Sequence, residues 1–176
     1  MPSTKPRSRA RRKRSATETR RNKTPGRRGG GRAYATDRID AILDFWLGDL
    51  GAADTSVEDD KGRQWFTSSD EADNRIRDWF GADVEAARDG ALEIWSETPR
   101  GRLALVILLD QFTRNIYRGN ALACAADARA QTLVIDGLTA EIDRKLHPIE
   151  RLFFYMPLMH AESLELQNRG VEQFRK

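Results

Sequence analysis

Apolar side chains recur along this chain at helical spacing, interrupted by glycine, proline and small polar residues, and the pattern predicts helices throughout. After Thr36, a good capping residue, Ile39, Ile42, Leu43 and Trp46 share one face until Gly48. Residues 48–62 hold three glycines and several aspartates and read as a loop, after which Trp65 and Phe66 anchor the chain again. Ser69 caps a second helix with Ile76, Trp79 and Phe80 inside and Gly81 as its end. A further helical stretch presents Val84, Ala87, Ala91, Leu92 and Trp95 and breaks at Thr98–Pro99. Residues 103–109 are apolar all round, which marks a buried helix, since no second strand-like run exists for them to pair with. Following the turn at Arg118, Gly119 and Asn120, an Ala-rich helix runs from Ala121 to about Ile135, with Gly137 as its stop. Pro148 opens another, whose stripe is Ile149, Leu152, Phe153 and Met156. Pro157 is expected to start the last one, with His160, Leu164, Gln167, Val171 and Phe174 on a single face. About seven helices without a strand define an all-α array.

Charge divides the chain into two objects. Residues 1–32 carry thirteen Lys or Arg against the single acid Glu18, a net of +12, while the remainder holds 17 cations against 26 acids, a net of −9. With prolines, glycines and, within residues 1–32, no apolar side chain larger than Met1 to bury, residues 1–35 are expected to be a disordered Arg-rich leader and residues 36–176 the helical domain. Such a leader could contact nucleic acid non-specifically through its counterions. It does not fit a secretory signal, because Arg20–Arg21 is followed by polar residues. The longest apolar runs, 103–109 and 153–159, fall well short of a membrane span, so no membrane partner is expected. One cysteine, Cys124, excludes an internal disulfide, and a reducing, cytoplasmic setting follows as the default. With two histidines and one cysteine, neither a Cys-rich metal site nor a cofactor is expected.

The chemistry lies at the end of the buried run. Asp110 continues the face of Leu103, and an ionised carboxylate beside so apolar a segment needs a partner, for which Arg114, four residues on, is placed. Gln111, Asn115 and Arg118 occupy the adjoining face. Asp127 among alanines, and His160 and Gln167 on the last helix, are the other polar groups that periodicity puts inside. Three readings follow from these residues. The first is a ligand site for a small anion or a peptide, built from Asp110, Gln111, Arg114, Asn115, Arg118 and His160, with the guanidinium forks gripping a carboxylate or phosphate. The second is a hydrolase-like centre in which His160 acts as a base oriented by Glu162 or Asp110. In the third, a satisfied buried network fixes helix register, and the basic leader alone tethers an inert body to nucleic acid.

Four segments together resemble a known family: Asp44-Phe45-Trp46-Leu47-Gly48, Trp65-Phe66, the block from Leu108 through Asp110-Gln111-Phe112-Thr113-Arg114-Asn115 to Gly119, and Phe153 through Met156-Pro157-Leu158-Met159-His160-Ala161-Glu162. They resemble the bacterial domain-of-unknown-function 924 family from about Asp40 onward. The resemblance implies a tetratricopeptide-like α-α superhelix. It implies no reaction, so Asp110, Gln111, Arg114, Asn115, Arg118, His160 and Glu162 are motif positions without roles. Family members are expected to continue past the position of Lys176, which would leave an apolar strip near Val171 and Phe174 uncovered.

Overall fold

The computed structural model describes residues 31–51, 61, 62, 65 and 69–176, with side chains from Ala35 onward. Residues 1–30 of the expected leader, the loop around 52–60 and the Phe66 anchor lie outside the described residues, while residues 31–35, expected to belong to that leader, open the first helix. Among the described residues every regular element is helical, and the fold is all-α. Helix α1 spans Gly31–Leu47 and α2 spans Asp70–Arg88. A 3-10 turn at Glu93–Glu97 leads to α3, Pro99–Val106, which continues through a π-helical turn, Ile107–Phe112, into the short α4, Thr113–Ile116. Next come a 3-10 turn at Ala121–Cys124, α5 at Asp127–Thr139 and another 3-10 turn at Ile142–Lys145. The last two helices are α6, Pro148–Met159, and α7, Leu164–Phe174. Helices α5 and α6, and α6 and α7, pack as sequential neighbours, whereas α1 docks on α3 and α2 on the π turn and α4.

The rod of residues 99–116 is the centre of the domain. Residues 103–109 have no exposed surface at all, because α1, α2, α5 and α6 each pack against some part of the rod. This is the arrangement that an all-round apolar helix demands. Phe112 is the hub of an aromatic cluster: Trp46 meets it edge-on at 5.5 Å, and Phe80 lies 5.2 Å away. Trp46 also meets Phe153 edge-on at 5.7 Å, which ties α1 to α6 through ring quadrupoles as well as buried area.

Several boundaries differ from those that periodicity predicts. Helix α1 starts at Gly31, so Thr36 lies within it instead of capping it. Helix α2 passes through Gly81 and ends at Arg88, where Gly90, at φ +81°, supplies the left-handed turn. Trp79 is not inside but 59% exposed, lying edge-on to Phe45 at 5.6 Å. Ala91 is likewise exposed, and Trp95 is buried from a 3-10 turn. Thr98–Pro99 starts a helix where a break was expected: Thr98 accepts from the Gly101 N–H and Pro99 takes the first position.

The Ala-rich stretch is a 3-10 turn followed by α5, which runs through Gly137 to Thr139. Gly137 is present for closeness, since a Cβ there would lie 2.6 Å from Phe154 Cζ. Pro157 sits inside α6, in its final turn, where its missing N–H costs one hydrogen bond close to the helix end. His160 therefore caps the C-terminus of α6, and α7 begins later, with Ser163 as its N-cap. The expected single face from His160 to Phe174 does not form: Leu164 is 72% and Phe174 42% exposed, and Gly170 is the buried residue of α7.

Candidate functional site

Asp110 sits within the π turn. Such a turn adds one residue to a helical turn and leaves carbonyls out of register. Here Thr113 Oγ1 compensates by donating to Leu109 O at 2.7 Å, with Asp110 O at 3.2 Å. The Asp110 side chain is 1% exposed, and its two oxygens are fully engaged. Oδ1 faces His160 Nδ1 at 2.8 Å and receives a longer contact of 3.4 Å from Arg114 Nη2, while Oδ2 accepts from Gln111 Nε2 at 2.6 Å.

Arg114 is the bridge of this cluster. Its Nη2 donates to Asp127 Oδ2 at 2.8 Å, and its Nη1 reaches Cys124 Sγ at 3.2 Å. Burial pulls the guanidinium toward its neutral form, but Asp110 and Asp127 together outweigh it and raise its pKa above the ordinary value. Arg114 Nε and Asp127 Oδ1 are buried without a partner.

His160 is 31% exposed at its side chain against 1% for its partner carboxylate. A carboxylate accepts only, so Nδ1 carries the hydrogen in this contact, and Nε2 is the nitrogen left to accept in the neutral form of such a ring. Glu162 is exposed, and the carboxylate that meets His160 Nδ1 is that of Asp110, on the central rod. Gln167 donates to Ala161 O at 2.7 Å and so braces the α6–α7 junction that carries His160.

Asn115 and Arg118 belong to a second cluster, centred on Asp73. Arg118 Nε and Nη2 reach the two Asp73 oxygens at 2.7 and 3.0 Å, and Asn115 Nδ2 donates at 2.7 Å. Burial drives the Asp73 carboxyl up, yet the hydrogen bonds from Arg118 and Asn115 prevail and hold it below its ordinary value. The Asp-Gln-x-x-Arg-Asn-x-x-Arg motif is thus divided between two carboxylates on different elements. Asp73 was not among the expected residues. Its place three and seven residues before Ile76 and Phe80, on the buried face of α2, is the signal that could have found it. Glu150 is also buried and paired with Arg100 Nη1 at 2.8 Å. Three clefts of about 540, 460 and 290 Å3 lie elsewhere on the domain.

Comparison with known proteins agrees with this architecture. A solved structure titled as a protein of unknown function, ATU0120 from Agrobacterium tumefaciens, is similar over 80% of this chain and 74% of its own, with 30% sequence identity and a TM-score of 0.70. Among curated proteins none matches. Residues 42–176, which include both carboxylate clusters, match the family described as bacterial protein of unknown function (DUF924). The chain belongs to that family.

Proposed function

We propose that the Asp110–His160 pair is a proton-transfer centre of a hydrolase-like enzyme, with His160 Nε2 as the general base. One observation carries this reading: a fully buried carboxylate holds Nδ1 of a partly exposed imidazole at 2.8 Å. Asp110 fixes the tautomer and offsets the imidazolium charge that forms when Nε2 takes a proton from water or a substrate hydroxyl. Arg114 and Gln111 hold the carboxylate in its orientation. The anion-binding reading fares less well at Arg114, whose fork is already held by Asp110 and Asp127. It retains Arg118, which is 47% exposed at its side chain, and an anion bound there would have to compete with Asp73.

The chain has only two histidines, which makes the imidazole itself a clean probe. His147 Nε2 is buried, so diethyl pyrocarbonate should acylate His160 first, and Asp110→Asn should slow that reaction by about tenfold as the compensating charge is lost. Equal reactivity in the two proteins would overturn the reading. A companion assay with a panel of nitrophenyl esters and phosphates should show turnover that disappears in His160→Gln. For the nucleic-acid tether, polyanion binding by the full chain should be steeply salt-dependent and vanish when residues 1–32 are deleted.

A further inference from the structure

A cleft of about 460 Å3 lies between the 3-10 turn Ile142–Lys145, one face of α6 and the C-terminal end of α7. That volume suits a small organic molecule. Arg151, Leu152 and Tyr155 follow Pro148 by three, four and seven residues, so a single stripe of α6 forms one wall. Phe174 of α7 meets Tyr155 edge-on at 5.6 Å, which makes an aromatic corner that Leu152 and Pro148 extend with aliphatic surface. None of these residues belongs to the Asp110 or the Asp73 cluster.

The lining brings Arg144, Arg151 and Lys176 to the same space as one acid, Asp143. Asp143 Oδ2 accepts the Tyr155 hydroxyl at 2.8 Å. Burial, and then the Asp143 carboxylate, raise that hydroxyl above its ordinary pKa against the opposing charge of Arg151. The phenol therefore stays a donor to Asp143, and the guanidinium lies near enough to be felt at it. Two of the three cations are held by neighbours: Arg144 pairs with Glu141 at 2.8 Å, and Lys176 Nζ donates to Gln173 Oε1 at 3.0 Å. Arg151 is anchored at the other end of its fork. Its Nε donates to Leu146 O at 3.1 Å, while among the described residues Nη1 and Nη2 make no hydrogen bond or ion pair. A guanidinium restrained at Nε offers two parallel N–H groups in the geometry that a planar carboxylate accepts.

We propose that this cleft binds a small carboxylate with an aromatic body. The carboxylate takes Nη1 and Nη2 of Arg151, and the ring lies on Leu152 against Tyr155 and Phe174. A bare anion forgoes the apolar wall, and a neutral aromatic leaves the fork to water.

The test titrates the full chain with 3-phenylpropanoate, its neutral counterpart 3-phenylpropanamide, and acetate, reading amide NMR shifts. The aromatic carboxylate should bind about tenfold more tightly than either of the other two, with the largest shifts in residues 143–155 and 173–176. Arg151→Gln should bring the carboxylate down to the level of the amide. Phe174→Ala should weaken both aromatic probes and leave their ratio unchanged, because it removes ring contact and no charge. Amide binding as tight as carboxylate binding, a carboxylate preference that survives Arg151→Gln, acetate binding as tight as 3-phenylpropanoate, or no shifts in those two segments would each overturn the proposal. Should a variant fail to fold, the three-probe series on the natural chain decides alone.

Discussion

His160 Nδ1 stands 2.8 Å from Asp110 Oδ1 although 50 residues separate them in sequence, and this contact pins the α6–α7 junction to the π turn of the central rod. Removing the carboxylate strands Arg114 and His160 beside a buried cavity. Both partners keep some solvent access, at 26% and 31% of their side chains, which moderates the penalty. Asp110→Ala should lower unfolding free energy by about 2–4 kcal/mol, read as a reduced urea midpoint at unchanged slope. Asp110→Asn, which still accepts from His160, should cost less. An unchanged midpoint in the alanine variant would mean that the network is not closed in solution.

Acid should unfold the domain partly through Asp73. Its carboxyl is held below the ordinary value of 3.8 by Arg118 and Asn115 despite burial. A group whose folded pKa is depressed adds stability above its unfolded pKa and loses it as pH falls through the folded one. Glu85 is lowered in the same direction, by the Tyr117 hydroxyl first and then, against the cost of burial, by Arg88. Urea midpoints should therefore hold steady above about pH 5 and drop below about pH 4. Asp73→Asn should flatten that drop, and a wild-type slope retained in this variant would assign the acid sensitivity elsewhere.

Two helix-interior glycines should respond in opposite senses to alanine. At Gly81 the nearest atom to an added Cβ is Arg77 Cγ at 4.0 Å, so the change should stabilise by up to about 1 kcal/mol through helix propensity alone. At Gly137 the same methyl would lie 2.6 Å from Phe154 Cζ and 3.0 Å from Arg102 Cδ. Phe154 is fully buried and cannot swing away, so Gly137→Ala should destabilise by about 1–3 kcal/mol. Thermal melts of the pair, run side by side, check both signs.

The π turn should depend on a hydroxyl. Thr113 is fully buried and donates to the Leu109 carbonyl. Thr113→Val keeps the shape and removes the donor, and should cost about 1–2 kcal/mol. Because the turn sets where Asp110 points, the same variant should also broaden the NMR signals of the His160 ring. Sharp, unshifted signals would show that the turn holds its register without the hydroxyl.

Much of this architecture was legible from local pattern. An apolar run without a polar face can only be a central helix, and residues 103–109 are one. Asp110 at the end of that run, and Arg114 one turn later, had to be an ion pair, because an unpaired charge there is too costly to bury. Boundaries were less legible. Gly81 and Gly137 read as stops and Pro157 as a start, yet each lies inside a helix. A glycine can serve close approach as well as termination, and a proline in a last turn sacrifices only one hydrogen bond, so the residue type alone does not separate the two uses.

Asp73 and the true partner of His160 show the other limit. Spacing along one helix constrains which side chains share a face, and this was sufficient to gather Asp110, Gln111, Arg114, Asn115 and Arg118. It says nothing of which carboxylate a second helix brings against that face. Packing decided that Asn115 and Arg118 go to Asp73 and that Asp110 takes the imidazole of His160. The sequence by itself determined the all-α class, the central rod and the need for buried charges to be compensated, because these follow from local periodicity and desolvation. Only the tertiary structure chose the partners, since pairing across 42 to 50 residues of chain depends on how helix surfaces dock.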